Sequence, residues 1–248
     1  MNARADHLEI TPPAPFALNA DQQIGQIAVH LPGATAVFRR LKLDFCCGGQ
    51  VSLAHAAADK GLDADAVLAE LAALQRNDAA PEAASPSALI DHILARYHEV
   101  HRVQLPELIR MARRVEAVHR DNADVPVGLA DLLEDMHEEL LAHMRKEEDI
   151  LFPMMKSGGN PFVSQPISIM RAEHVDHGAA LDKLNALTHD ATPPQGACNT
   201  WRALYAGIAQ LGDDLINHIH LENNVLFPAF EAGAAPSQGC GSSACACS

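Results

Sequence analysis

Apolar residues recur at helical rather than strand spacing along the chain. Ile24, Ile27, Ala28 and Leu31 open the pattern, and patches at Ala34 to Leu41, Leu53 to Ala58 and Ala66 to Leu74 continue it. Together they predict a small helical domain over residues 19–75. Residues 76–88, RNDAAPEAASPSA, offer almost nothing to bury and contain Pro81 and Pro86, the composition of a linker. Four long periodic segments follow. The first runs from Leu89 to His119 through Ile90, Ile93, Tyr97, Val100, Leu108, Met111, Val115 and Val118, with a kink expected at Pro106. The others run from Gly128 to Met154, from Pro166 to Leu187 and from Asn199 to Phe230, Pro166 being suited to a first turn. Short connections make neighbouring helices antiparallel, which predicts an up-down-up-down four-helix bundle over residues 89–231. Residues 1–18, with Pro12, Pro13 and Pro15, are expected to be a loose arm, and the Gly/Ser/Cys-rich residues 232–248 a disordered tail.

Composition sharpens this picture. A 248-residue chain that is 48% hydrophobic can bury a core, and 4% aromatic content with few β-branched runs favours an all-α protein. The net charge of −14 and the lack of a clustered Lys/Arg stripe exclude nucleic acid as an expected partner. No segment approaches the roughly 20 apolar residues of a membrane helix, and the first twenty residues lack a basic start followed by an apolar run. A cytoplasmic protein with no membrane partner is expected, and reduced thiols suit that setting.

Chemistry enters with a repeat. The motif HxxxExxxLFP occurs as His143, Glu147, Leu151, Phe152, Pro153 and again as His218, Glu222, Leu226, Phe227, Pro228, 75 residues later (218 − 143). Histidine pairs precede each copy, His98 with His101 and His174 with His177, offset by 76 (174 − 98). One His/Glu pair at i, i+4 is an ordinary surface pair. Two copies in one context, on helices facing each other in a bundle, select imidazole and carboxylate ligands on single helical faces, the donor set of iron. His98, His143, His174 and His218 with Glu147 and Glu222 are too many ligands for one closed tetrahedral zinc site. They suit two ions, each carboxylate bridging and each ion keeping two terminal histidines. Iron prefers five or six ligands, so positions remain for an oxo or hydroxo bridge and for a small ligand such as dioxygen or nitric oxide. Gly178, four residues after His174, would leave space beside the metals as an access point.

Neighbouring residues sort by angle. His220 lies about 160° around the helix from His218 and is expected to be solvated. His101 and His177 share the ligand faces and are expected to support the ligands. His55, His119 and His137 carry no assigned role; Phe152, Met154, Met155 and Phe227 read as packing. Glu139 and Glu173 read as solvated acids or, in a functional reading, as a polar path into the bundle. Cys46 and Cys47, in DFCCGG, are too close to bridge without strain and are expected to be exposed thiols that relay iron or electrons. Cys198 reads as a core or helix-start residue, and Cys240, Cys245 and Cys247 as a soft-metal clip in an irregular tract.

On LDFCCGG, RYHEVHRVQLPEL, HMRKEEDILFPM, EHVDHG and INHIHLENNVLFP, in that order, the chain resembles the iron-sulfur cluster repair di-iron proteins, also called repair of iron centres proteins. The resemblance covers about residues 20–230. It implies a small DFCCGG-bearing domain joined to a hemerythrin-like bundle, with a non-haem di-iron site at His98, His143, Glu147, His174, His218 and Glu222. It also implies restoration of clusters damaged by nitric oxide or oxidants, by supplying iron, with damaged iron-sulfur proteins or the cluster assembly machinery as partners. Reduction of nitric oxide at the site is an alternative activity, and dioxygen or nitric oxide binding and sensing, as in hemerythrins, is another. Dimerisation is implied by the resemblance alone. The cysteine-rich tail departs from the family pattern.

Overall fold

The structure is a computed structural model that describes residues 18–31, 33–74, 85–159 and 161–231. The expected tail, residues 1–17 of the expected arm and most of the expected linker lie outside these. The described residues are helical, joined by turns, with one isolated backbone bridge between Gln23 and Ser52. Four short helices come first: α1 (Ile24–His30), α2 (Ala34–Arg40), α3 (Leu53–Asp59) and α4 (Ala64–Leu74). Ser52 caps α3, its Oγ accepting from His55 N at 3.2 Å, and leaves the following Leu53 to be buried. Ile24, Ile27, Phe38, Phe45, Leu53 and Leu71, each at most 1% exposed, close a core of their own. At roughly 1.5–3 kcal/mol for each large side chain, this cluster is what holds four marginal helices together.

The bundle begins earlier than its apolar pattern. Helix α5 starts at Pro86, inside the stretch expected to be linker. Proline has no N–H to lose at a first turn, and Ser85 Oγ accepts from Ala88 N at 3.2 Å, so a breaker in the sequence acts as a starter. Helix α5 runs as Pro86–Ile93, widens into a π turn at Leu94–His98 and continues as Glu99–Val118, with Pro106 inside it. Helix α6 is Leu129–Lys146, a π turn at Glu147–Leu151, then Phe152–Lys156. Helix α7 is Ser164–Thr188. Helix α8 is Asn199–Leu221, a π turn at Glu222–Leu226, then Pro228–Glu231. Each of the four packs on the next, and α8 returns to α5.

In each π turn a backbone N–H reaches five residues back, Glu99 to Leu94 O, Phe152 to Glu147 O and Phe227 to Glu222 O. The wider turn takes in one extra residue, and single π turns of this kind recur at functional positions. Two of them end two residues before the prolines of the LFP repeats, where a regular helix would press the ring on the carbonyl four residues back. The bundle core divides around the repeat: Leu105, Leu133, Leu140, Trp201 and Leu211 on one side, and Ile90, Ile93, Phe152, Ile167, Leu226 and Phe227 on the other. Between them lies a polar layer.

Candidate metal centre

The polar layer brings the six residues singled out by the repeat into one place. His98, His143, His174, His218, Glu147 and Glu222 are each at most 1% exposed, supplied by all four bundle helices. They fall into two groups of converging ligand atoms within 4.8 Å of one another: His98, Glu147, His218 and Glu222, and His143, Glu147, His174 and Glu222. Both carboxylates belong to both groups. The Nε2 atoms pair at 3.1 Å (His98 and His218) and 3.2 Å (His143 and His174). Glu222 lies 3.1 Å from His218 Nε2 through Oε1 and 3.1 Å from His174 Nε2 through Oε2, while Glu147 Oε2 is 3.4 Å from both His98 and His143 Nε2.

Outside this ring, three imidazoles are held by their other nitrogen. His98 Nδ1 donates to Glu148 Oε1 at 2.6 Å, and Arg102 Nη2 donates to both oxygens of Glu148 at 2.6 and 2.8 Å. His143 Nδ1 donates to Glu173 Oε2 at 2.9 Å, with Lys146 on the other oxygen. His174 Nδ1 donates to Asn223 Oδ1 at 2.9 Å. A proton fixed on Nδ1 leaves the Nε2 lone pair pointing inward, the tautomer a metal needs. His218 is set differently: the Tyr97 ring lies flat on it, centroids 5.4 Å apart at 3°, and its Nδ1 has no hydrogen-bond partner among the described residues. Phe152 and Phe227 cover His98 and His174.

The electrostatics ask for a cation. Burial, then the neighbouring Glu222, pushes the Glu147 carboxyl well above its usual range, and neither of its oxygens receives a hydrogen bond among the described residues. Burial works against ionised Glu222 too, but His218 and His174 outweigh it and hold that carboxyl well below its usual range. Burial and the facing histidine push His98 down to about 4 and His143 well below its usual range, so these two imidazoles stay neutral and cannot balance Glu147 beside them. Two fully buried acids side by side are costly without a cation, and divalent ions between the Nε2 pairs would give the unpartnered oxygens of Glu147 something to bind. The residues therefore fit a dinuclear centre.

Other expected residues land where the sequence did not say. His101 and His177 pack against the His/Glu layer, His177 edge-on to His143 and His101 tilted, but belong to neither group of converging donors: His101 is 0% exposed with both nitrogens unpartnered among the described residues, 5.6 Å from His218 between ring centroids. Burial first, then adjacent histidines, pushes them to about 2 and about 4. His177 lines a cavity of about 10 Å³ with Glu139, Leu105, Met136 and Leu215, room for roughly one water. His220, expected in solvent, is 4% exposed. It does point away from the ligands, but Phe45 packs edge-on against it at 5.1 Å and Asn224 Nδ2 donates to its Nδ1 at 3.1 Å, because the small domain covers that face of α8.

The same docking carries the thiols to the bundle. Cys46 and Cys47 are half-buried, unbridged, with sulfurs 3.8 Å apart; Cys47 Sγ lies 3.4 Å from His174 O, and Asp44 Oδ1 accepts from Cys47 N at 2.9 Å. The hydrogen bond to Cys47, and then burial, push the Cys46 thiol up. Asn223 Nδ2 donates to Cys46 O at 3.1 Å and Asn224 Nδ2 to Phe45 O at 3.1 Å. The glycines of DFCCGG permit this closeness: a Cβ on Gly49 would sit 2.5 Å from Phe45 O and 3.0 Å from Gly25 Cα. Both thiols open on a cleft of about 1030 Å³ between the small domain and helices α7 and α8, and Gly178 lines it with nothing within 4 Å of where its Cβ would project. Cys198 caps α8, 3.2 Å from His119 Nε2. Asn223, Asn224 and Glu148 carried no expected role, and Tyr97 was expected only as an apolar helix position. Two asparagines inside a helix, where they are poor formers, were the available signal.

Residues 89–230 match the hemerythrin HHE cation binding domain family, and residues 20–75 match a domain of unknown function, DUF542. The chain is 51% identical over 211 residues to the iron-sulfur cluster repair protein YtfE of Dickeya chrysanthemi, covering 84% of this chain and 96% of that one. It is 50% identical over 215 residues to the proteins of that name from Cronobacter sakazakii and Escherichia coli strain SMS-3-5, covering 86% of this chain and 97% and 98% of theirs. No described helix is long and apolar enough to cross a membrane. On these matches, with a DUF542 match followed by a hemerythrin HHE cation binding match and with its helical bundle and His/Glu layer, the chain belongs to the family of iron-sulfur cluster repair proteins.

Proposed function

We propose that this protein holds two iron ions between α5, α6, α7 and α8 and repairs damaged iron-sulfur clusters by giving iron up. The observation that carries the reading is the sharing of Glu147 and Glu222 by two sets of convergent donors. His98 and His218 would serve one ion, His143 and His174 the other, and both carboxylates would span the pair. Six protein ligands for two ions leave each unsaturated, which suits a donor better than a closed cage does. Bound iron would supply open coordination positions and one-electron chemistry. The chain itself orients the imidazoles through Glu148, Glu173 and Asn223, excludes water with Phe152 and Phe227, and presents Cys46 and Cys47 behind His174 as a thiol pair for iron or electrons. Damaged iron-sulfur proteins, or the machinery that assembles clusters, would be the recipients.

Metal analysis with Mössbauer spectroscopy should find two coupled irons per chain, and Glu147→Ala and Glu222→Ala should each lose most of both. An iron-loaded chain should restore a nitric-oxide-damaged cluster enzyme faster than free ferrous iron does; equal rates would sink the repair role. A second reading, reductive coupling of nitric oxide, draws support from the two donor groups that share Glu147 and Glu222, which would hold two ions side by side. There the reduced protein should give about half a mole of nitrous oxide per mole of nitric oxide in a single turnover.

A further inference from the structure

The internal repeat extends beyond the ligands to what holds them. Glu148 and Asn223 are counterparts at the 75-residue offset, and each accepts the Nδ1 proton of a histidine on another helix, His98 and His174, which are themselves counterparts at 76. Glu173, the residue before His174, accepts from His143 Nδ1. Its counterpart, the residue before His98, ought to accept from His218 Nδ1. That residue is Tyr97 (173 − 76), and its ring lies flat on the imidazole instead of meeting its edge. Arg96 keeps it there, its guanidinium 5.0 Å from the Tyr97 ring and paired with Asp214 at 2.6 and 3.2 Å. His218 Nδ1 is left buried with no partner among the described residues.

We propose that the two ion positions are unequal, and that the ion between His98 and His218 leaves first because Tyr97 stands where the repeat elsewhere has Glu173. The inference rests on the dinuclear reading above. A carboxylate on Nδ1–H makes an imidazole a stronger donor and fixes its rotation, and losing such a partner weakens metal binding about 10- to 100-fold. Stacking fixes the ring plane but adds nothing to the basicity of Nε2. The position between His143 and His174 has an oxygen on both Nδ1 atoms; the other has one on His98 alone. A protein that gives iron away can then release one ion while Glu147 and Glu222 still close around the second.

The test is release of iron from the loaded chain into excess ferrous chelator, followed in time. The parent should release one iron per chain quickly and the other at least about 10-fold more slowly. Tyr97→Glu, which restores the repeat, should slow the first phase toward the second. Glu173→Leu, at a quarter-exposed position, should speed the second toward the first. Release of both parental irons in one phase overturns the proposal, as does a Glu173→Leu chain whose slow phase is unchanged. Metal content, measured on the same samples, checks the dinuclear reading separately, and one iron per parental chain would remove both.

Discussion

Asn223 joins two functions in one amide: its oxygen takes the His174 proton and its nitrogen holds Cys46 O. Asn223→Leu should lower iron affinity about 10- to 100-fold by freeing His174, and should also loosen the thiol turn. Titration with ferrous iron and the rate of thiol modification at Cys46 and Cys47 report the two effects in one variant. If iron affinity stays at the parental value, His174 does not depend on its amide. The clustering of His143 with Glu147 and of His218 with Glu222 was legible because spacing alone puts each pair on one face. Their supports were not, because Glu148 and Glu173 look like the many solvated acids of a chain of net charge −14. His220 shows the same limit: angle told which way it points, and only the docked domain told what it meets.

At the scale of elements, the four long segments and most of the small helices follow from apolar period, but the three π turns do not. An extra residue in a turn leaves the i, i+3, i+4 pattern nearly intact, so Leu94–His98 reads as regular helix. Pro86 misled for a related reason, since the same ring that breaks a helix interior starts one at its first turn. The seam between α1 and the end of α8 was equally hidden. There a Cβ on Gly25 would lie 2.7 Å from Asn224 Oδ1 and 2.9 Å from Gly49 O. Gly25→Ala should therefore cost roughly 1–3 kcal/mol by overpacking, seen as a melting temperature several degrees lower with iron content unchanged. An unaltered melting curve would mean that the seam yields freely.

For the whole molecule, the sequence leads one to expect two modules but says nothing of contacts between them, because these are written in scattered single residues. Arg39 meets Asp213 and Asn217, each at 2.9 Å, and Lys42 meets Asp190 at 2.7 Å, pairs worth little individually at a surface. Buried Asn224 and the Phe45 contact with His220 contribute more. Cys46→Ser with Cys47→Ser should leave the bundle fully loaded with iron while repair falls; repair at the parental rate would make the thiol pair structural. The placement of Cys47 against His174 O and of Asn223 between Cys46 and His174 has one more consequence. If iron loading shifts a thiol equilibrium at Cys46 or Cys47 through this shared amide, a change at that thiol must shift iron affinity by the same factor, because coupling between two equilibria is reciprocal. On the proposed iron-donating role, oxidants that cap Cys47 would then change how tightly the neighbouring ion is kept, and oxidative damage would itself set how much iron is released.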